Sequence, residues 1–486
     1  MNNTSPQRTI SEIPRGLLIG GRWRAAEHDA EFTVDNPATE ETLTTVADAT
    51  VADALTALDA ATHAQTDWAT TAPRLRGELL QRAFDVLTER AEEYAMLITL
   101  EMGKPLTESR AEVAYAAEFF RWFAGEATRV HGENRREPGG EYHIVTSRQP
   151  VGPSLLITPW NFPLAMATRK LGAALAAGCT TILKPAEQTP LTALALAQTL
   201  TDVGVPAGVV NVITTMNAPD ISRALMGDRR LRKVSFTGST QVGRVLVGQS
   251  AHQLQRVSME LGGNAPFLVF ADADLDAAIA GALVAKLRNG GESCVAANRF
   301  LVERPIAEEF SDRLAEAMAA FPLGSGIEPD VRIGPLIDDA ARQKVSDLVD
   351  DARTRGSRVL LGGERPSGRG YFYLPTVIAD VDPTARIVHE EIFGPVAPIS
   401  VFDHEEQALA LANDSDAGLV SFVYTDNLHR AQRMIDSLDT GMVGINRAVV
   451  SNAAAPFGGI KQSGYGREGG FEGVHEYLSV KYAAVQ

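Results

Sequence analysis

The residues with the most chemical potential in this chain are few and widely spaced. Cys294 sits in Gly290–Gly291–Glu292–Ser293–Cys294–Val295. Small residues on its N-terminal side let a substrate carbon approach the sulfur, and a thiolate is the strongest nucleophile among the side chains. Taken alone, a lone Cys is more often a small buried hydrophobe. Cys179, in Ala177–Gly178–Cys179–Thr180 where a strand pattern begins, is read that way. Distant segments change the weight on Cys294. Thr158–Pro159–Trp160–Asn161–Phe162–Pro163–Leu164 lies between a strand end and a helix start, where the Asn161 amide can donate to a developing oxyanion. Lys184–Pro185–Ala186–Glu187 follows the next strand, at the carboxyl edge where open α/β sheets bind ligands. Phe236–Thr237–Gly238–Ser239–Thr240 opens a helix after a later strand and can seat a pyrophosphate. Met259–Glu260–Leu261–Gly262–Gly263 sets a carboxylate before two flexible glycines, and Glu390–Glu391–Ile392–Phe393–Gly394–Pro395 is an acidic and aromatic loop. Each has an ordinary reading: Gly-Ser-Thr commonly caps a helix, Lys184 and Glu391 can be solvated charges, and the glycine loop is not G-x-G-x-x-G. Their joint occurrence, in this order, is hard to attribute to chance.

The elements that must hold these segments are legible. Helical patterns cover Val51–Trp68, a longer stretch through Leu75–Ile98, and a third run to Phe123. Gly132–Gly140 is polar and Gly-rich, and Tyr142–Arg148 alternates like an exposed strand, so a hairpin arm is expected to leave the body. From Pro150 strands and helices alternate: Ser154–Thr158, a helix from Pro163 to about Ala177, Thr180–Leu183, Leu191–Val203, Val209–Ile213, Lys233–Phe236, and a helix from Ser239. This βαβ repetition predicts a parallel sheet with helices on both faces. A second α/β set runs from Phe267 to about Val443, with strands near Phe300–Val302, Arg358–Leu361 and Ala397–Phe402; Tyr477–Val485 adds a last strand.

Bulk composition narrows the function classes. A chain of 486 residues exceeds one ordinary core, so two or three domains are expected. Acidic residues outnumber basic ones 61 to 45, for a net charge of -16, which disfavours a nucleic-acid partner. Two cysteines build no disulfide framework and fit a reducing, cytoplasmic setting. The polar N-terminus, Met1 to Pro14, does not read as a secretory signal, and no apolar run reaches a bilayer-spanning length. The nine His are scattered without paired-ligand spacing, so no metal is expected.

With these segments in hand, the chain resembles the aldehyde dehydrogenase superfamily over nearly its whole length. It looks closest to the succinate-semialdehyde dehydrogenases, through Ile157–Lys170, Ala173–Pro185, Glu260–Phe267, Arg288–Arg299 and Pro456–Glu468. The resemblance implies an α/β fold: a Rossmann-type cofactor domain (residues 1–127 and 149–258), an α/β catalytic domain (259–470), and a small β arm that joins subunits (128–148 and 471–486). It implies Cys294 as nucleophile, Glu260 as general base, and Asn161 with the Cys294 amide as oxyanion hole. Thr158, Pro159 and Trp160 would flank the cofactor. Lys184 and Glu187 would hold the adenosine ribose, Gly238 and Ser239 the pyrophosphate, and Glu391 and Phe393 the nicotinamide end. The partners implied are a small aldehyde and further copies of the chain, as a homodimer or homotetramer.

The same resemblance implies that Arg169, Arg288 and Ser451 surround a distal substrate carboxylate, chemistry that guanidinium groups suit. Succinate semialdehyde is the expected substrate. Glutarate semialdehyde or a broader aldehyde range is the alternative, and a cationic aldehyde is disfavoured. Phe123, Trp122 and Phe457 are candidate pocket walls. A carboxylate at Glu187 suits two ribose hydroxyls and repels a 2′-phosphate, so NAD is expected over NADP. Glu260 argues against a CoA-acylating variant, and the presence of Cys294, Glu260 and Asn161 argues against a silent binding homologue. Ester hydrolysis without cofactor could use the same thiol. Two departures from the family pattern stand out. Glu292 is a carboxylate two residues before the nucleophile, able to raise its pKa or to point away. Ala296 occupies a position where some relatives carry a second Cys able to pair with the nucleophile. Arg447 adds a cation near the expected entrance with no assigned role.

Overall fold

The computed structural model describes residues 6–486; of the polar stretch at 1–14, residues 1–5 lie outside them. After a short helix at Pro6–Ser11 and four strands come four longer helices: Val51–Thr70, Pro73–Glu89, Ala91–Met102 and Leu106–Glu126. The single helix expected through Leu75–Ile98 is broken at Arg90, where ψ reaches 22°. The turn redirects Ala91–Met102, apolar on most faces, so that Tyr94, Leu97 and Ile98 sink into the first core.

The βαβ repetition gives five parallel strands in the order Val210–Val212, Thr181–Lys184, Ser154–Ile157, Lys233–Thr237 and Arg256–Glu260. The sheet is mixed rather than wholly parallel. Leu17–Ile19 joins one edge and Gly464–Tyr465 the other, both antiparallel. Segments from near the two chain ends thus cover edge hydrogen-bonding groups that periodicity could not pair. The second sheet has seven strands, ordered Arg358–Leu361, Thr376–Ala379, Val396–Phe402, Ala297–Glu303, Ala265–Val269, Val420–Tyr424 and Met442–Ile445. All its pairs are parallel except the first. The expected hairpin is present: His143–Pro150 pairs antiparallel with Asn134–Arg136 and, along its full length, with Leu478–Val485.

Val51–Thr70 packs on one face of the first sheet. On the other face, between the sheet and helices Pro73–Glu89 and Leu106–Glu126, lies Pro163–Ala177, buried at every residue although Arg169 and Lys170 stand in its middle. Two buried cations in an apolar helix require partners. They find them beside the cavity described next. No described helix is long and apolar enough to cross a membrane.

Candidate active site

The carboxyl ends of Ser154–Ile157 and Lys233–Thr237 face the turn Arg288–Gly291, and a cavity of about 280 Å³ lies between them. Cys294, Asn161, Arg169, Arg288, Glu391 and Phe393 stand on its wall, with Pro159, Trp160, Gly238, Ser239 and Ser451. Thr158 lies behind, its amide donating to the Lys184 carbonyl at 3.1 Å. Phe457 lines the cavity, but Trp122 and Phe123 do not. Phe123 is buried against Gly172 and Gly473, and Trp122 Nε1 donates to the Gly470 carbonyl at 3.0 Å. The same helix face reaches the cavity about two turns earlier, at Tyr115.

The loop before Cys294 is shaped by backbone geometry. Gly291 has φ +81, and a Cβ there would stand 2.2 Å from the Gly394 carbonyl oxygen, so only glycine fits. The small residues noted ahead of the thiol therefore serve loop packing as well as access. Asn161 Nδ2 donates to the Glu292 carbonyl at 3.0 Å, which brings its amide to the Cys294 loop. Its Oδ1 is buried without a partner. The Glu292 carboxylate points away from the thiol: one oxygen accepts the Ile337 amide at 3.0 Å, and burial raises its pKa well above the carboxylate range. Burial pushes the Cys294 thiol up to about 12, opposed by Arg169, with Glu391 and Glu260 adding to the rise. The carboxylates that matter to Cys294 are thus distant in sequence.

Glu260 ends strand Arg256–Glu260 with a buried carboxyl, neither oxygen of which has a hydrogen-bond partner. It is not on the cavity wall and lies against Gly458, where a Cβ would stand 2.8 Å from Oε1. Burial raises its pKa well above the usual range; Glu468 adds to this, while Arg169 and Lys170 oppose it. Glu468 receives Arg169 at 3.3 Å and Lys170 at 2.5 Å, and Arg169 also donates to Tyr115 Oη at 2.7 Å. The Arg169 guanidinium stacks over Phe457 at 4.2 Å. Glu468 and Tyr115 were not singled out from sequence. The signal was present in the two cations of helix Pro163–Ala177, which demand a buried acid without saying which one.

A sequence profile described as the aldehyde dehydrogenase family matches residues 23–483. The chain belongs to the aldehyde dehydrogenase family. It is 54% identical over 443 residues to a succinate-semialdehyde dehydrogenase of Paenarthrobacter nicotinovorans, covering 91% of this chain and 98% of that protein. It is 44% identical over 467 residues to a glutarate-semialdehyde dehydrogenase of Pseudomonas putida, covering 96% and 97%. The crystal structure of an NADP-dependent enzyme of E. coli superposes with a TM-score of 0.97 at 43% identity, covering 99% of each chain.

Aldehyde dehydrogenases oxidise aldehydes with NAD(P), and the residues of this one fit such a group. A second cavity, of about 370 Å³, lies beside Lys184, Pro219, Ile221, Val242 and Val245. Val242 and Val245 are exposed apolar side chains that a flat base would cover. Lys184 pairs with Glu187 at 3.1 Å at its rim. Ser239 caps the helix Thr240–Ser250 through the Val242 amide, and Thr237 Oγ1 is buried without a partner next to it. At the far end Glu391 accepts the Gly263 amide at 2.9 Å, and Phe393 meets Trp160 edge-on at 5.4 Å. The enzyme thus offers an apolar slot, a charged pair at its rim, a helix start and an aromatic contact, groups whose chemistry suits the parts of a dinucleotide. Arg447 takes no part: it is exposed and donates to the Val449 carbonyl at 2.8 Å.

Proposed function

We propose that this aldehyde dehydrogenase oxidises a semialdehyde bearing a distal carboxylate, succinate semialdehyde first, through Cys294. One observation carries the substrate reading. Arg288 lines the same cavity as Cys294 and Asn161, packs over Phe162 at 5.1 Å, and makes no ion pair among the described residues. An unpaired guanidinium on an apolar wall suits a carboxylate. Ser451 offers a hydroxyl on the wall of the same cavity, and Arg169 retains an unpartnered Nε after engaging Glu468 and Tyr115. Relatives named for succinate and glutarate semialdehydes support an anchored dicarboxylate half. Those substrates differ by one methylene, worth about 1–3 kcal/mol of discrimination.

In this reading Cys294 adds to the aldehyde carbon and the developing oxyanion takes its hydrogen bonds from Asn161 Nδ2 and the Cys294 amide. An NAD(P) nicotinamide, which Glu391 and Phe393 would hold, would supply the acceptor for the two electrons of the oxidation. Cys294 then carries the acyl group as a thioester. Glu260 turns toward it, takes a proton from water, and the attack releases the acid and the thiol. A raised Glu260 pKa suits a group that must hold and return that proton.

Glu187 and Lys184 would hold the adenosine ribose, and we infer a preference for NAD because the Glu187 carboxylate opposes a 2′-phosphate. We assign the antiparallel arm, whose Val480 and Tyr482 are exposed, to pairing between copies of the chain, as a dimer or tetramer. A panel of aldehydes with NAD and with NADP tests the reading. Succinate semialdehyde should rank first in kcat/KM, and Arg288→Ala should raise its KM at least about tenfold while sparing butyraldehyde. If acetaldehyde or benzaldehyde ranks first, the carboxylate anchor is wrong; a higher kcat/KM with NADP removes the assigned role of Glu187.

A further inference from the structure

Helix Pro163–Ala177 begins badly by its own sequence. Pro163 stands at its first position, and the capping residue, Phe162, has no side chain able to accept its free amides. The acceptor comes from elsewhere: Glu112 Oε1 takes the Leu164 and Ala165 amides at 3.0 and 3.2 Å. Its other oxygen pairs with Lys104 Nζ at 2.6 Å, with both side chains buried. Lys104 Nζ has a second bond, at 2.6 Å, to the backbone carbonyl of Asn161, and it lies over the Phe162 ring at 4.0 Å. That same carbonyl also receives Asn289 Nδ2 at 3.1 Å. Asn289 is held in the left-handed region, φ 58, with its amide donating to Glu108 at 2.6 Å. Three charged groups, Lys104, Glu108 and Glu112, therefore grip the loop of Asn161 and the loop leading to Cys294.

A second helix shows what capping alone requires. Pro190–Asp202 also starts with proline, and Glu101 takes its Leu191 and Thr192 amides at 2.7 and 2.9 Å. Glu101 has no lysine partner among the described ion pairs, and its helix contributes nothing to the cavity wall. A buried glutamate suffices to cap a helix. The lysine is added where the next residue back is Asn161.

We propose that Lys104 and Glu112, assisted by Glu108, are positioning residues that set the Asn161 amide relative to Cys294. This rests on the reading of Cys294 as nucleophile and Asn161 as oxyanion donor. The pair touches neither aldehyde nor cofactor. It fixes the Asn161 backbone from behind, so that the Nδ2 hydrogen not given to the Glu292 carbonyl is held for the oxygen that becomes negative. Displacement of such a donor by about 1 Å costs on the order of a hundredfold in rate.

The test separates oxyanion chemistry from thiol reactivity. Alkylation of Cys294 by iodoacetamide develops no oxyanion, whereas aldehyde oxidation and hydrolysis of p-nitrophenyl acetate both do. Lys104→Met/Glu112→Gln removes both charges together, which avoids leaving one buried and alone. It should lower kcat for both oxyanion-forming reactions at least about tenfold, with the NAD KM and the alkylation rate within about twofold of the native values. Lys104→Arg should restore part of the loss. Glu101→Gln, the matched capping change, should lower the melting temperature and leave kcat intact. Equal losses in alkylation and in both turnovers, or no loss in kcat, would overturn the proposal. Cys294→Ser run beside them tells the two readings apart. If that variant still makes NADH, the nucleophile reading fails; if it is dead while the double variant keeps its kcat, only the positioning role fails.

Discussion

The two cysteines of this chain occupy opposite kinds of burial. Cys179 follows the left-handed Gly178 that ends helix Pro163–Ala177; it is fully buried, and its thiol donates to the Tyr477 carbonyl at 3.4 Å. Burial raises its pKa, opposed first by the Gly152 and Val151 backbone and then by the Lys233 ammonium and Ser154. Burial raises Cys294 too, to about 12, but here the chief opposing group is the Arg169 guanidinium and the sulfur lines a cavity. A low resting pKa is therefore not what separates Cys294, the proposed nucleophile, from Cys179. Each thiol has a cation in range, Lys233 or Arg169. Access from the cavity and the nearby Asn161 amide separate them, and the Cys294 proton must leave when substrate is engaged.

The comparison breaks most sharply by substitution. Cys294→Ser should reduce NADH production by at least about a thousandfold, while Cys179→Ser should keep kcat within about twofold in the same absorbance assay. Similar losses for both would erase the distinction. Glu260→Gln comes next. In rapid-mixing experiments it should leave a burst of NADH and slow the following steady state about a hundredfold or more, because acylation needs only Cys294 and hydrolysis needs the base. Loss of the burst would move Glu260 into the first step.

A pH series sharpens the contrast further. With the Cys294 thiol at about 12 in the free protein, its alkylation should climb about tenfold per unit from pH 7 to 9 without a plateau. A plateau below pH 9 would mean a thiolate already stabilised at rest. The smallest effect concerns stability. Both folded thiol pKa values lie above the ordinary thiol value of 9.0. The protonated forms therefore contribute stability that is whole below pH 9 and is lost as pH rises through the folded values. Cys179→Ala should cost about 1 kcal/mol at neutral pH and flatten the fall of melting temperature above pH 9. An unchanged slope would remove Cys179 from the alkaline response.

How much of this was legible depends on distance along the chain. The strand–helix alternation from Ser154 to the helix opened at Ser239 is local, and the observed elements follow it within a residue or two; the fifth strand, Arg256–Glu260, was not expected. The motifs around Asn161, Gly238, Cys294 and Glu391 are local as well, and they meet at one cavity. The break at Arg90 escaped because periodicity continues through it. Trp122 and Phe123 were read as walls because their type fits a pocket, but their position along the helix takes them past its end. Glu468, Tyr115, Lys104 and Glu112 left no local mark, since each acts on a segment more than 50 residues away.

Residue types and short spacing thus decided which groups can react: a thiol among glycines, an amide at a strand end, a carboxylate before a turn. They also decided the parallel strands, since hydrophobic period and turn residues are properties of neighbours. Tertiary structure decided the rest. It turned Glu292 away from Cys294, drew Glu260 back against Gly458, tied Arg169 to Glu468, and left Arg288 unpaired. Those outcomes follow from the cost of burying a charge, which is settled by whichever partner the fold brings within reach. A sequence states that Arg169 and Lys170 must be neutralised; only the folded chain determines by whom, and so which guanidinium remains free for a substrate.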